Sequence, residues 1–175
     1  MNLQSDVNNF QVEFLERNGF KKFADNLRSN VNQWHNIRIT GYFSETIRQS
    51  LESIMKMKGF TVRLICPYLN IKQVRDKKNF QALEKLASEG VEIKFNDRLH
   101  ARFLVSYISR LLNKIEPTWR GSLLIGSFDF NTEWIGKERY DAGVSTRHPD
   151  LVNSARRLFD KIWNESTNLN DWQVV

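Results

Sequence analysis

The chain has 175 residues, 41% of them hydrophobic and 26% charged, which suits a packed globular core and excludes a disordered or low-complexity polypeptide. Its 26 Lys and Arg against 20 Asp and Glu leave a net charge of +6, a modest excess that favours anionic partners such as nucleic acid. A single cysteine excludes a disulfide framework, no apolar run approaches the ~20 residues that span a bilayer, and the polar stretch Met1 to Arg17 has no signal-peptide character, so a cytoplasmic protein without a membrane partner is expected.

Val7, Phe10 and Phe14 have helical spacing as far as Asn18-Gly19, and Phe20, Phe23, Leu27 and Val31 continue it at intervals of three and four. Residues 1–36 are therefore predicted as an N-terminal helical extension packed on a domain that occupies 37–175, with the aromatic stripe as core. Ile37 to Tyr42 is strand-like. Ser44 is the expected N-cap of a helix that carries Ile47, Leu51 and Ile54 and ends at Gly59. Phe60 to Cys66 is a short apolar strand stopped by Pro67, with Cys66 as a buried thiol. Ile71 to Glu89 is predicted as an amphipathic helix with Leu83, Leu86 and Ala87 inward and Gly90 as its stop. The run Lys72, Arg75, Lys77 and Lys78 reads as its solvated face.

Val91 to Phe95 alternates as a strand. Leu99 to Val105 does so too, with Leu99, Ala101, Phe103 and Val105 on one face and His100, Arg102 and Leu104 on the other. An irregular stretch, Ile108 to Gly121, precedes an apolar strand at Ser122 to Ile125, and Tyr140 to Ser145 is another. Leu151 to Trp163 is predicted as a closing helix with Val152, Ala155, Leu158, Phe159 and Ile162. Strands alternating with helices, with no repeat and no linker, predict one α/β structural domain overall.

Three fragments carry chemistry. His100 stands beside Arg102, a permanent cation that suits an anion such as phosphate. In Gly126-Ser127-Phe128-Asp129 the glycine permits close backbone approach, and Ser127 offers a hydroxyl and an N–H to an oxyanion. Asp141 opens the next strand, and a carboxylate on one ring nitrogen of a histidine leaves the other free to attack.

The order and spacing of these fragments resemble the phospholipase D superfamily. Its signature is His-x-Lys-x-x-x-x-Asp, then Gly-Ser-x-Asn, then Asn-x-Glu on the following strand. Here the matching segments are His100-Ala101-Arg102 with Tyr107, Gly126-Ser127-Phe128-Asp129, and Arg139-Tyr140-Asp141. The flanks Phe60-Thr61-Val62-Arg63-Leu64, Glu89-Gly90-Val91-Glu92-Ile93 and Phe159-Asp160-Lys161-Ile162-Trp163 agree, so the resemblance covers residues 37 to 165. It implies an α/β/α sandwich with a mixed central sheet flanked by helices, and a phosphodiesterase that uses neither metal nor cofactor. In that family the histidine forms a phosphohistidine, and a histidine from a second motif protonates the leaving group. One motif in this chain implies a homodimer.

The pattern is degenerate. Arg102 stands for Lys, Tyr107 for the first Asp, Asp129 for Asn and Asp141 for Glu. The resemblance assigns His100 as nucleophile or acid, Arg102 and Ser127 as phosphate holders, and Asp141 as the histidine's orienting partner, with Glu138 as the competitor for that role. Asp129 either pairs with Arg102 or caps the turn near Thr132. Arg110, Lys114, Trp119 and Arg120 are candidates for gripping nucleic acid, the cations on the backbone and the indole on a base. His35 and His148 read as structural, and three histidines without H-x-H or H-E-x-x-H spacing give no metal-site pattern. A Ser127–His100–Asp141 triad lacks the G-x-S-x-G elbow. Two functions stand: a nuclease of this chemistry, or a weakened domain of the same fold that binds nucleic acid or mediates dimerisation and interaction.

Overall fold

Short runs rich in Val, Ile, Leu and Phe meet edge to edge in the centre of the domain. The computed structural model describes residues 12–16, 36–43, 51, 60–70, 72–107, 121–127 and 142–172. Among them, β1 (Val12–Glu16), β2 (Asn36–Thr40), β3 (Thr61–Cys66), β4 (Glu92–Phe95), β5 (Phe103–Tyr107), β6 (Gly121–Gly126), β7 (Ala142–Thr146) and β8 (Thr167–Asn168) form one mixed eight-stranded sheet. The order is β1-β7-β6-β5-β2-β3-β4-β8. The β2, β3 and β4 strands are parallel, and every other pairing is antiparallel.

The two faces of the sheet are covered differently. Helix α1 (Val74–Ser88) lays Leu83 and Leu86 on a cluster with Ile37, Ile39, Leu64, Phe95 and Leu104. Helix α2 (Pro149–Asn164) buries Val152, Ala155 and Phe159 on the other face, against Ile65, Phe103, Val105 and Leu123. Central strands buried on both faces explain the continuous apolar run Leu64-Ile65-Cys66. The α/β/α sandwich with a mixed central sheet is as expected.

Local chemistry sets the ends of these elements. Gly90 takes φ 97° after α1; its N–H donates to the Ala87 carbonyl and the Val91 N–H to the Leu86 carbonyl, so the helix's last carbonyls are satisfied in a Schellman turn. Pro149 occupies the first turn of α2, where a missing N–H costs nothing. At Gly121 a Cβ would lie 2.5 Å from Val152 Cγ1 and 2.7 Å from the Ser106 carbonyl oxygen, so only glycine lets α2 approach the sheet there.

The structure corrects several expectations. Val12–Glu16 is a strand, not helix: it pairs with β7 from Val12↔Thr146 to Glu16↔Ala142. Val12-Glu13-Phe14 fits two-residue alternation as well as helical spacing, and the backbone groups along β7 demand a partner. Nor is Phe14 core, being 63% exposed. Leu158, expected in the α2 stripe, is 47% exposed, because the buried face follows Val152, Ala155 and Phe159. After α2 the chain continues as β8, antiparallel to the β4 edge, and a 3-10 turn at Leu169–Asp171. The other parts of the N-terminal extension, the Ser44 helix apart from the buried helical Leu51, and 108–120 lie outside the described residues.

Candidate functional site

The strand that was to carry His100 begins at Phe103; residues 99–102 lead into it as irregular backbone. The cause is the sheet itself, since β2 ends at Thr40, directly opposite Phe103, and offers no ladder partner beyond it. Thr40, fully buried, pins the start of β5 by accepting a hydrogen bond from the Phe103 N–H at 3.1 Å. The sequence reading missed Thr40, whose only signal is a polar residue at the end of an apolar strand. The facing was nonetheless predicted well: Leu99, Ala101, Phe103 and Val105 all join the α2 cluster, which turns His100 outward. His100 is exposed and Arg102 is half-buried.

The site occupies the edge of the sheet where β2, β3, β4 and β6 end and β5 and β7 begin. This is also where the parallel half meets the antiparallel half, a place where open sheets leave a crevice. A pocket of about 230 Å³ opens there, lined among others by Gly41, Tyr42, Tyr68, Asp97, His100 and Arg102. Its tyrosines and Asp97 were not singled out from the sequence.

Arg102 is held from two sides. Its carbonyl accepts from the Gly126 N–H at 3.2 Å, and its Nη1 donates to the Ser127 carbonyl at 2.8 Å. These bonds bring the His100 segment and the Gly126-Ser127 turn together. The Ser127 N–H, expected to serve an oxyanion, instead donates to the Ala142 carbonyl at 3.0 Å, and the Ser127 hydroxyl accepts from the Ala142 N–H at 3.1 Å. The turn is thereby tied to the residue that follows Asp141. Asp129, Asp141, Glu138, Arg110, Lys114, Trp119 and Arg120 lie outside the described residues.

Tyr107, at the position of the family's first aspartate, is not in the pocket. It sits at the far end of β5, opposite Asn36 and Gly121. The Arg38 guanidinium lies 5.2 Å from its ring centroid and 5.4 Å from that of Phe159, and pairs with Asp160. Burial raises the Tyr107 phenol above its ordinary value, against the opposing pull of Arg38. Burial likewise lowers Arg38, and pushes the Cys66 thiol well up.

Elsewhere, His148 precedes α2 with its backbone N–H bonded to Thr146 Oγ1 at 3.1 Å, and His35 lies outside the described residues. Lys72, Lys77 and Lys78 are exposed around the start of α1. Among the described residues no group of His, Cys, Asp and Glu gathers as a metal site, and no helix is long and apolar enough to cross a membrane.

Solved structures share this architecture. Nuc from Salmonella typhimurium, described as a phospholipase D family member, superposes with a TM-score of 0.64 at 14% identity, over 91% of this chain and 96% of that one. Polyphosphate kinase from Porphyromonas gingivalis gives 0.68 at 18% identity over 85% of this chain, which spans only 25% of that protein. TrmBL2, an archaeal chromatin protein described as showing a novel mode of DNA binding, gives 0.59 at 12% identity over 95% of this chain and 56% of that one. At these identities the likeness is one of fold. No curated protein matches the chain in sequence. The family model described as cardiolipin synthase, PLD-like domain, matches residues 28–163, and with the motif order and the site at the sheet's edge it places the chain in the phospholipase D-like family.

Proposed function

We propose that this domain is a metal-independent phosphodiesterase acting on nucleic acid, in a site completed by a second copy of the chain. The observation that carries the reading is the meeting of exposed His100 with Arg102 and the Ser127 turn at one lip of the sheet. A ring nitrogen of His100 attacks the phosphorus; a P–N bond forms and the P–O bond to the leaving group breaks. The departing alkoxide takes a proton from His100 of the second copy. Water then attacks the phosphohistidine, gives its proton to that second imidazole, and releases the first histidine as the P–N bond breaks. The Arg102 charge offsets the negative charge that builds on the phosphoryl oxygens, and Asp141 orients the imidazole. Action on DNA or RNA fits the net charge of +6.

The test is cleavage of DNA in excess EDTA by wild type and His100→Ala. Metal-free cleavage that disappears in the variant supports the enzyme. Mixing wild type with excess His100→Ala chains lowers the rate per wild-type chain if the site is shared between copies.

One observation favours the second reading, a weakened domain that binds nucleic acid or serves as an interaction module: Arg102 spends Nη1 on the chain's own Ser127 carbonyl. That reading predicts salt-sensitive DNA binding without cleavage. It also predicts that Arg102→Lys with Asp129→Asn restores no activity, whereas a latent enzyme gains rate.

A further inference from the structure

We infer that Tyr42 and Tyr68 form a stacking subsite for an unpaired nucleobase beside His100, making single-stranded nucleic acid the substrate class. The inference rests on the reading of the pocket as a phosphodiester site. Both tyrosines line that pocket, and both are exposed, Tyr42 at 38% and Tyr68 at 41%. They leave adjacent parallel strands, β2 and β3, and the Gly41 N–H donates to the Ile65 carbonyl at 3.1 Å, tying the two strand ends together.

Tyr68 is exposed but not loose. Its ring lies 6.2 Å from Phe95 at 9° and 6.3 Å from Trp172 at 18°, while its hydroxyl shares a hydrogen bond with Thr167 Oγ1 at 3.3 Å. Trp172 in turn lies 4.8 Å from Phe95 and 4.9 Å from Phe80. Thr167 and Trp172 belong to the β8 strap, beyond residue 163 where the family match ends. This segment thus buttresses an aromatic wall of the pocket from behind. A held ring loses little freedom when a flat ligand stacks on it, which is what a stacking platform needs.

The ligand chemistry follows from the neighbours. A ring wall next to a histidine and an arginine suits a phosphodiester attached to a planar group, and every base has a π-face. In a duplex those faces are already stacked and the bases paired, so only a splayed base reaches the tyrosines.

The test is fluorescence anisotropy in EDTA at fixed salt, using a labelled single strand of about 12 nucleotides, the same strand with abasic sites, and its duplex. Wild type is expected to bind the intact strand about tenfold or more tighter than the abasic strand or the duplex. Tyr68→Ala and, independently of the aromatic cluster, Tyr42→Ala each weaken the intact strand by about 5- to 100-fold and leave the abasic strand within about twofold. Tyr68→Phe restores the preference, because it keeps the ring. Equal binding of intact and abasic strands, duplex binding as tight as single-strand binding, equal losses on both strands in the alanine variants, or no oligonucleotide binding at all would each overturn it. Cleavage in EDTA without base preference sinks the subsite and leaves the phosphodiesterase standing. Base-dependent binding without cleavage does the reverse.

Discussion

The two ends of β5 carry residues of one sequence motif and have opposite characters. At the His100 end the backbone leaves the ladder, the imidazole faces solvent, and Arg102 reaches across to Ser127. Five residues beyond Arg102, Tyr107 is 4% exposed and packed against Arg38, in contact with α2. Spacing within a motif thus does not mean nearness in space. A strand carries residues about 3.3 Å apart per step, so the last motif position lies a full strand length from the first. One end presents polar side chains to the pocket, and the other packs against the helix that covers the strand.

The largest expected effect tests the open end. His100→Ala should lower phosphodiester cleavage at least about 1000-fold, roughly 4 kcal/mol in barrier, because it removes the nucleophile of the proposed reaction. Because its side chain is exposed, stability should change by no more than about 0.5 kcal/mol. A comparable loss of stability would erase the contrast between the ends.

Gly121→Ala should show the opposite pattern. Its new Cβ meets Val152 Cγ1 and the Ser106 carbonyl, neither of which is the far end of a flexible side chain. Overpacking of that kind costs about 2–3 kcal/mol, a drop of about 4–12 °C in the midpoint. Cleavage per folded molecule should be unchanged, as measured by calorimetry alongside activity at low temperature.

This split explains what was legible in the sequence. Alternation placed Leu99, Ala101, Phe103 and Val105 on one cluster even though only the last two lie in the strand, because burial needs facing and not ladder bonds. Helix stops were readable too: Gly90 has a conformational signature that few other residues satisfy. The β1 strand and the β8 strap were not, since edge pairing is decided by what the neighbouring strand lacks. The pocket's Tyr42 and Tyr68 were invisible for the same reason. They come together through parallel strand neighbours more than twenty residues apart, with no local pattern to mark them.

A smaller effect tests the closed end through its ion pair. Asp160 accepts from Arg156 Nη1 at 3.3 Å and pairs with Arg38, whose side chain is only 11% exposed. Asp160→Asn leaves the Arg38 charge in a poorly hydrated place, while the 36% exposure of Asp160 itself lets water soften the loss. The expected cost is about 1–2 kcal/mol by urea unfolding. Adding Arg38→Met should recover part of it, since the stranded charge is then gone. A double variant less stable than the single one would mean that Arg38 serves mainly through its contacts with Tyr107 and Phe159.

The smallest effect asks how deep the open end goes. Cys66 ends β3 just before the pocket residues Pro67 and Tyr68, yet it is 2% exposed and burial pushes its thiol well up. A raised folded value means that the unfolded chain loses this proton first as pH rises. The contribution is therefore complete below the unfolded value of about 8.5 and is lost progressively above it. Wild type should lose about 1 kcal/mol between pH 8 and 9.5 from this group. Cys66→Ala should start less stable, for want of packing, but fall less steeply over the same interval. Tyr107 does not confuse the comparison, because its raised value acts only above about pH 10. Parallel slopes for the two proteins would show that water already reaches the thiol behind the pocket. The open end of β5 would then be open through its full depth, not a polar lip on a dry core.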